Sequence, residues 1–69
     1  MNTVKLRDEY IRLGQAMKAS GMAQMGSDAK QMILEGLVTV NGETELRRGR
    51  KLRDGDVVMC QGESFRVET

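Results

Sequence analysis

The segment Ile33–Gly42 changes from a helical pattern to a strand pattern within ten residues, and this change limits the folds open to the chain. Up to Ile33, apolar residues repeat at the spacing of a one-sided helix (Ala29, Met32 and Ile33). Gly36 stands where a left-handed residue commonly ends a helix. Val38–Val40 then reads as a short strand, and Asn41-Gly42 follows it. The sequence therefore predicts a helix that leads directly into a sheet.

The sequence predicts an earlier helix and an N-terminal strand before this segment. Apolar spacing places the first helix from between Tyr10 and Leu13 to about Ser20. Ser27 or Asp28 is expected to cap the second helix, because their side-chain oxygens accept hydrogen bonds from free amides. Alternating residues over 3–7 indicate a strand with two inward apolar side chains (Val4 and Leu6).

The Asn41-Gly42 pair is typical of a two-residue hairpin, but the residues around it argue against that interpretation. A two-residue loop would pair Val40 with Glu43 and Val38 with Glu45, which would place carboxylates on the apolar face of the sheet. We therefore predict that this strand does not pair with the residues that follow the turn.

A better partner for the strand is Val57–Met59, which follows the turn at Asp54-Gly55. This run can form a hairpin with Phe65–Val67 around Gly62, and residues 43–53 would then cross over around the sheet. We predict an α+β fold, in which a helical hairpin packs on a small, largely antiparallel sheet. One domain is expected over residues 1–69.

Five cations lie on the predicted crossover, within residues 47–53, and no acid lies among them. The basic cluster, as we call these residues, is Arg47, Arg48, Arg50, Lys51 and Arg53. The whole chain has 11 basic and 10 acidic residues, so outside the basic cluster there are six basic and ten acidic residues. We expect Arg48 and Arg50 to be exposed, because five neighbouring cations cannot all be buried without partners.

Composition argues against an enzyme. The chain has no histidine, the side chain best suited to proton transfer near neutral pH, and one cysteine, Cys60, which we expect to be a buried apolar residue. No metal site, cofactor or small-molecule substrate is predicted. The single cysteine indicates a reducing compartment, and no apolar run reaches the length of a membrane span. We expect a cytoplasmic monomer without a signal peptide or membrane role.

The basic cluster suggests a polyanionic ligand, because four of its five cations are arginines, whose planar fork pairs with phosphate. The aromatic residues are Tyr10 and Phe65, too few to form a stacking platform for single-stranded bases. Folded or double-helical RNA, recognised by phosphates and shape, is the better fit. The alternative is an adaptor that docks an acidic protein. A continuous face formed by Lys18, Lys30 and the basic cluster would favour RNA, whereas an isolated cluster would favour the adaptor.

Residues 12–59 resemble the S-four RNA-binding domain, a small module named after a ribosomal small-subunit protein. Its pattern is matched in order by Arg12-Leu13, the helical hairpin, and most specifically by "ILEGLVTVNG" followed by "GDVV". The segment "RRGRKLRDGD" is similar to the short, stand-alone bacterial branch of the family. The resemblance implies binding of structured RNA, such as ribosomal RNA, by the two helices and the turn after the strand.

Carried onto this sequence, the resemblance implies five RNA contacts: Arg12, Gln15, Lys18, Lys30 and Asn41. The chain departs from the family pattern at two positions. The Ser-Arg pair that opens the second helix is Met25-Gly26 here, and the acid that follows Arg-Leu is Gly14. We infer that part of the phosphate contact has moved to the basic cluster, which adds Arg47, Arg48, Arg50, Lys51 and Arg53 to the predicted site.

Overall fold

Two helices pack against a five-stranded sheet in the computed structural model, which describes residues 2–69. The sheet order is β1-β7-β6-β3-β4, with β1 and β7 parallel and the other neighbours antiparallel. A separate antiparallel ladder joins β2 to β5. The predicted α+β fold is thereby confirmed. The elements are β1 (Asn2–Lys5), β2 (Ile11–Arg12), α1 (Leu13–Ala19), α2 (Gly26–Leu34), β3 (Val38–Val40), β4 (Glu43–Thr44), β5 (Lys51–Leu52), β6 (Val57–Cys60) and β7 (Glu63–Glu68).

The predicted pairing of β3 with β6 and of β6 with β7 is confirmed. Val40 lies opposite Val58, and Val58 in turn lies opposite Phe65, so the apolar side chains of three strands share one face. The β6–β7 turn consists of Gln61 and Gly62, whose positive φ angles of 50° and 84° suit a two-residue hairpin loop. The register places these side chains beneath the helices.

The prediction that β3 would not pair with the residues after Asn41-Gly42 was wrong. Val40 lies opposite Glu43, across a turn whose residues have φ angles of 51° and 87°. An inner strand has two hydrogen-bonding edges, so pairing with β6 leaves the other edge of β3 free for β4. Glu43 is exposed, and the N–H of Glu45 donates to the carbonyl of Val38 at 3.0 Å. Residues 43–53 consequently contain β4 and β5 and are not an unpaired crossover.

The end of α2 matches the prediction, whereas its start does not. Gly36 adopts a φ of 76°, and the N–H of Leu37 donates to the carbonyl of Met32 at 3.2 Å, as in a Schellman motif. At the start, Met25 is the N-cap, so Ser27 and Asp28 lie within the first turn. The prediction that one of them caps the helix was wrong, because the carbonyl of Met25 already accepts the N–H of Asp28 at 3.1 Å.

A continuous core joins both helices to the sheet. Its largest fully buried side chains are Phe65, Leu13, Met17, Ile33, Leu52, Val38, Val40, Val58 and Val67. Cys60 is buried in the same cluster, and Leu52 brings the two-stranded ladder into it. The core therefore fixes the position of α1 relative to the segment that carries the basic cluster.

Stability should depend on Ile33 and not on the residue beside it. We expect Ile33→Ala to lower the free energy of unfolding by about 2–5 kcal/mol, because it removes buried methyl groups and leaves a cavity. Leu34→Ala is the matched control, since Leu34 is 60% exposed and its truncation should change stability by about 0.5 kcal/mol or less. Urea denaturation of both variants measures the difference. Equal effects would contradict the assigned helix face.

Candidate nucleic-acid interface

The backbone of the basic cluster caps the first turn of α1. The N–H of Leu13 donates to the carbonyl of Arg50 at 2.8 Å, and the N–H of Gly14 donates to the carbonyl of Arg48 at 3.1 Å. The first amides of a helix have no intrahelical partner, so these bonds satisfy donors that would otherwise be left free. The sequence shows no local capping residue for α1 because the cap comes from a distant segment.

Gly14 allows this close approach of the loop to the helix. A Cβ atom at this position would lie 2.8 Å from Cγ of Arg48, which is too close for two carbon atoms. The Arg12 guanidinium adds a further link, since its Nη1 donates to the carbonyl of Gly49 at 3.3 Å. The missing side chain of Gly14 therefore leaves room for the observed position of Arg48.

Glu45 anchors the start of the basic cluster from inside the protein. Its side chain is only 9% exposed and accepts hydrogen bonds from Nε and Nη2 of Arg47, at 3.1 and 3.2 Å, and from Nη1 of Arg50 at 2.9 Å. The N–H of Arg47 also donates to it. The bonds from Arg47, supported by Arg50, lower the pKa of Glu45 to about 2 from its ordinary value of 4.5, against the opposing effect of burial.

The five cations of the cluster are consequently not equivalent. Arg48 is exposed, as predicted, but the side chain of Arg50 is only 32% exposed, so the prediction of an exposed Arg50 was wrong. The overlooked partner is Glu45, which lies just before the cluster in sequence. Arg47 remains 75% exposed although it shares the same carboxylate. Two of the five cations thus share one internal carboxylate, which compensates a single positive charge.

A groove of about 440 Å³ lies between α1, the start of α2 and the basic cluster, and we call it the α1 groove. Three cations line it, Arg12, Lys18 and Arg48, together with the amide of Gln15, and no carboxylate is among the lining residues. The remaining lining positions are glycines, which leave its walls open (Gly14, Gly26 and Gly49). Four of the predicted contact residues therefore converge on one concave surface.

The other predicted residues lie around this groove or away from it. Lys30 is exposed on α2, one turn beyond Gly26 and on the same helix face. Lys51 is exposed on β5, and Arg53 follows it. Asn41 is occupied within the protein: its Nδ2 donates to Asp56 at 3.0 Å, and its Oδ1 accepts the N–H of Val57 at 2.9 Å.

Tyr10 was not among the predicted site residues, yet three cations surround its half-buried ring. Nζ of Lys51 lies 4.8 Å from the ring centroid, and the guanidinium carbons of Arg12 and Arg53 each lie 5.8 Å from it. The β2–β5 ladder produces this arrangement, because it places Arg12 opposite Lys51. Local periodicity gives no sign of a ladder between two-residue strands, so the sequence could not reveal that three cations surround Tyr10.

Three further features of the described residues limit the chemistry and the setting of the site. Within the described part of the chain, 2–69, no three histidine, cysteine or acidic side chains come together as a metal site would require. Burial raises the pKa of the Cys60 thiol, and Glu63 adds to the effect, so the reactive thiolate is disfavoured. No helix between residues 2 and 69 has the length and apolar character needed to cross a membrane.

Comparison with known proteins places the chain in a family. The model of the S4 (S-four) domain matches residues 4–68. This chain belongs to the S4 domain family. It is 45% identical over 67 residues to a Bacillus subtilis (strain 168) protein named "Probable ribosome maturation protein RlbA", and the match covers 96% of this chain and 94% of the relative. It is also 34% identical over 58 residues to YbcJ of Escherichia coli (strain K12), covering 84% and 83% of the two chains.

A solved S4 structure shares the whole fold. The solution structure of Escherichia coli YbcJ, described as revealing an αL motif involved in RNA binding, superimposes with a TM-score of 0.78 at 33% identity. It covers 100% of this chain and 89% of YbcJ. The resemblance found in the sequence is thereby confirmed, and it extends to β1 and β7 outside the predicted motif.

The pH dependence of stability should reveal the buried charge of Glu45. Because its pKa is lowered to about 2, its contribution is complete above about pH 4.5 and is lost as the pH falls through 2. We expect the free energy of unfolding to fall more steeply between about pH 5 and pH 2 in the wild type than in Glu45→Gln. Urea denaturation over this range measures it. Glu43→Gln, which removes an exposed carboxylate, should keep the wild-type slope; a Glu45→Gln slope equal to wild type would contradict the assignment.

Proposed function

We propose that this S4 protein binds structured RNA, ribosomal RNA in particular, without catalysing a reaction. The observation that carries the proposal is the convergence of Arg12, Lys18 and Arg48 on one groove that no carboxylate lines. Phosphate groups of a folded RNA would bind there, because arginine forks pair with phosphate oxygens in a bidentate manner. Because glycines without side chains line the groove, the RNA backbone can come close to the protein backbone there.

The arrangement of cations supports RNA over an acidic protein partner. Lys18 and Arg48 line the same groove, and Lys30 extends the positive surface along the same side of α2. A curved cationic groove of this kind suits a continuous line of phosphates better than the isolated cluster that the adaptor would use. The names of the relatives point the same way, since one is named a "Probable ribosome maturation protein" and the YbcJ motif is described as involved in RNA binding.

The cations that contact RNA are, in this proposal, chiefly those free of carboxylates. Arg12, Lys18 and Arg48 form the centre, and the exposed Lys30, Lys51 and Arg53 extend it. Arg47 and Arg50 contribute less, because each shares the charge of Glu45. Asn41 contributes little beyond its turn, because both polar atoms of its side chain already have partners.

A purely binding role accords with the chemistry of the side chains. The chain has no histidine, and its lone thiol is buried with a raised pKa. We propose that it acts in the bacterial cytoplasm as a monomer, needs no cofactor and binds no small-molecule substrate. The relatives named above come from bacteria, and sedimentation of the purified chain would test the monomer.

Affinity for RNA should depend steeply on salt. If about five phosphates are contacted, each with a slope near −0.7 to −0.9 in log affinity against log salt, binding should weaken roughly 100- to 500-fold between 50 and 200 mM salt. Fluorescence anisotropy with a labelled ribosomal RNA helix measures this. Affinity that stays nearly constant over the range would rule out a phosphate-dominated interface.

A single charge reversal in the α1 groove should separate binding from folding. We expect Arg48→Glu to weaken RNA binding roughly tenfold at 50 mM salt and to reduce the salt slope by about one or more. Glutamate keeps the first carbons of the side chain that packs on Gly14, and Arg48 is exposed, so the melting temperature should change little.

Arg66→Glu is the matched control, because it changes the net charge by the same amount elsewhere. Arg66 is exposed on β7 between the buried Phe65 and Val67, so it faces away from the helices. We expect this variant to bind RNA almost as well as the wild type. If both variants lose the same affinity, net charge and not the groove determines binding.

A further inference from the structure

Tyr10 borders a second concave surface, which lies next to the α1 groove and has a different character. This Tyr10 groove has a volume of about 460 Å³. Besides the tyrosine ring, its lining includes the apolar side chains of Val4, Ile11 and Ala19. Lys5, Arg7 and Asp8 supply charges of both signs around this apolar lining. The flat ring of Tyr10, with apolar and polar groups beside it, suits a nucleobase better than a phosphate.

The two grooves are joined by residues that α1 and β2 supply. Gln15 lines both of them, and its Oε1 accepts the backbone N–H of Arg12 at 3.4 Å, which leaves its amide N–H₂ free to donate. Arg12 lines the α1 groove, and its guanidinium carbon lies 5.8 Å from the centroid of the Tyr10 ring. A strand that followed the cations of the α1 groove would therefore pass Gln15 and reach Tyr10.

We propose that the Tyr10 groove holds an unpaired nucleobase of the bound RNA, stacked on the ring of Tyr10, while the cations around that ring bind the adjoining phosphates. This inference rests on the proposed function and narrows it to RNA in which a helix adjoins an unpaired nucleotide. A paired base inside a helix has no free face, because its neighbours stack on both sides of it, whereas an unpaired base can stack on an aromatic side chain.

The cations around Tyr10 lie on the protein surface and are available to bind a ligand. Arg12, Lys51 and Arg53 are all exposed, and none of them forms a salt bridge within residues 2–69. When a base covers the ring, these long side chains can leave the ring and turn towards the flanking phosphates. Asp8 would repel a phosphate but can accept a hydrogen bond from the amino group of a base.

Tyr10 is itself the reporter for the test, since the chain has one tyrosine and no tryptophan. The probes are a short RNA hairpin with a 3′ overhang of adenosines and the same hairpin with an overhang of abasic residues, which keeps every phosphate. We expect the adenosine overhang to quench the tyrosine fluorescence and to bind about 5- to 150-fold more tightly than the abasic one, the range typical of one stacked base.

The variants Tyr10→Phe and Tyr10→Ala test the ring itself. The phenylalanine variant should keep the preference for the adenosine overhang, whereas the alanine variant should lose it and still bind the abasic probe. If Tyr10→Ala fails to fold, as judged by circular dichroism, the quenching of wild-type tyrosine fluorescence by the two probes still tests the proposal.

Equal quenching and equal affinity for the two probes in the wild type would overturn the stacking proposal and leave RNA binding standing. Failure of both probes to bind at 50 mM salt would overturn the proposed function as well.

Discussion

The structure of the interface depends on the two hydrogen bonds by which the basic cluster caps α1. Leu13 and Gly14 donate their N–H groups to the carbonyls of Arg50 and Arg48. A helix of seven residues has little stability of its own, so a cap that satisfies its first amides matters for its formation. The same bonds hold Arg48 beside α1, where Arg12 and Lys18 also project. The start of the helix and the cationic groove are therefore one structural feature.

Glu45 divides the basic cluster into two parts with different roles. A buried carboxylate is costly unless it is paired and hydrogen-bonded, and here Arg47 and Arg50 supply both conditions. Those two arginines fix the path of the loop as it leaves β4. The remaining cations, Arg48, Lys51 and Arg53, project from the fixed loop towards the α1 groove or the Tyr10 ring. The buried carboxylate of Glu45 thus holds two of the clustered arginines in place, and the other three cations of the cluster are exposed.

Local pattern predicted the parts of the fold that depend on neighbouring residues. The helices, the end of α2 at Gly36 and the β3–β6–β7 order follow from periodicity and turn chemistry. The β3–β4 hairpin was missed because glutamates opposite valines look unfavourable, whereas Glu43 is in fact exposed and Glu45 is paired with arginines. The contact between Arg12 and Gly49, 37 positions apart, and the ladder that surrounds Tyr10 are set by tertiary packing, so no local pattern could predict them.

Gly14 and Gly26, the two glycines at positions where the resemblance leads us to expect larger residues, both line the α1 groove. A Cβ atom at Gly26 would meet open space, so an arginine at that position would project into the α1 groove, which Gly26 lines. In this chain Arg48 lines the same groove and packs against Gly14, whose missing Cβ leaves room for its Cγ. A side chain larger than glycine at position 14 would force the side chain of Arg48 to shift, because a Cβ atom there would lie 2.8 Å from its Cγ, and the shift would change the charge that lines the groove.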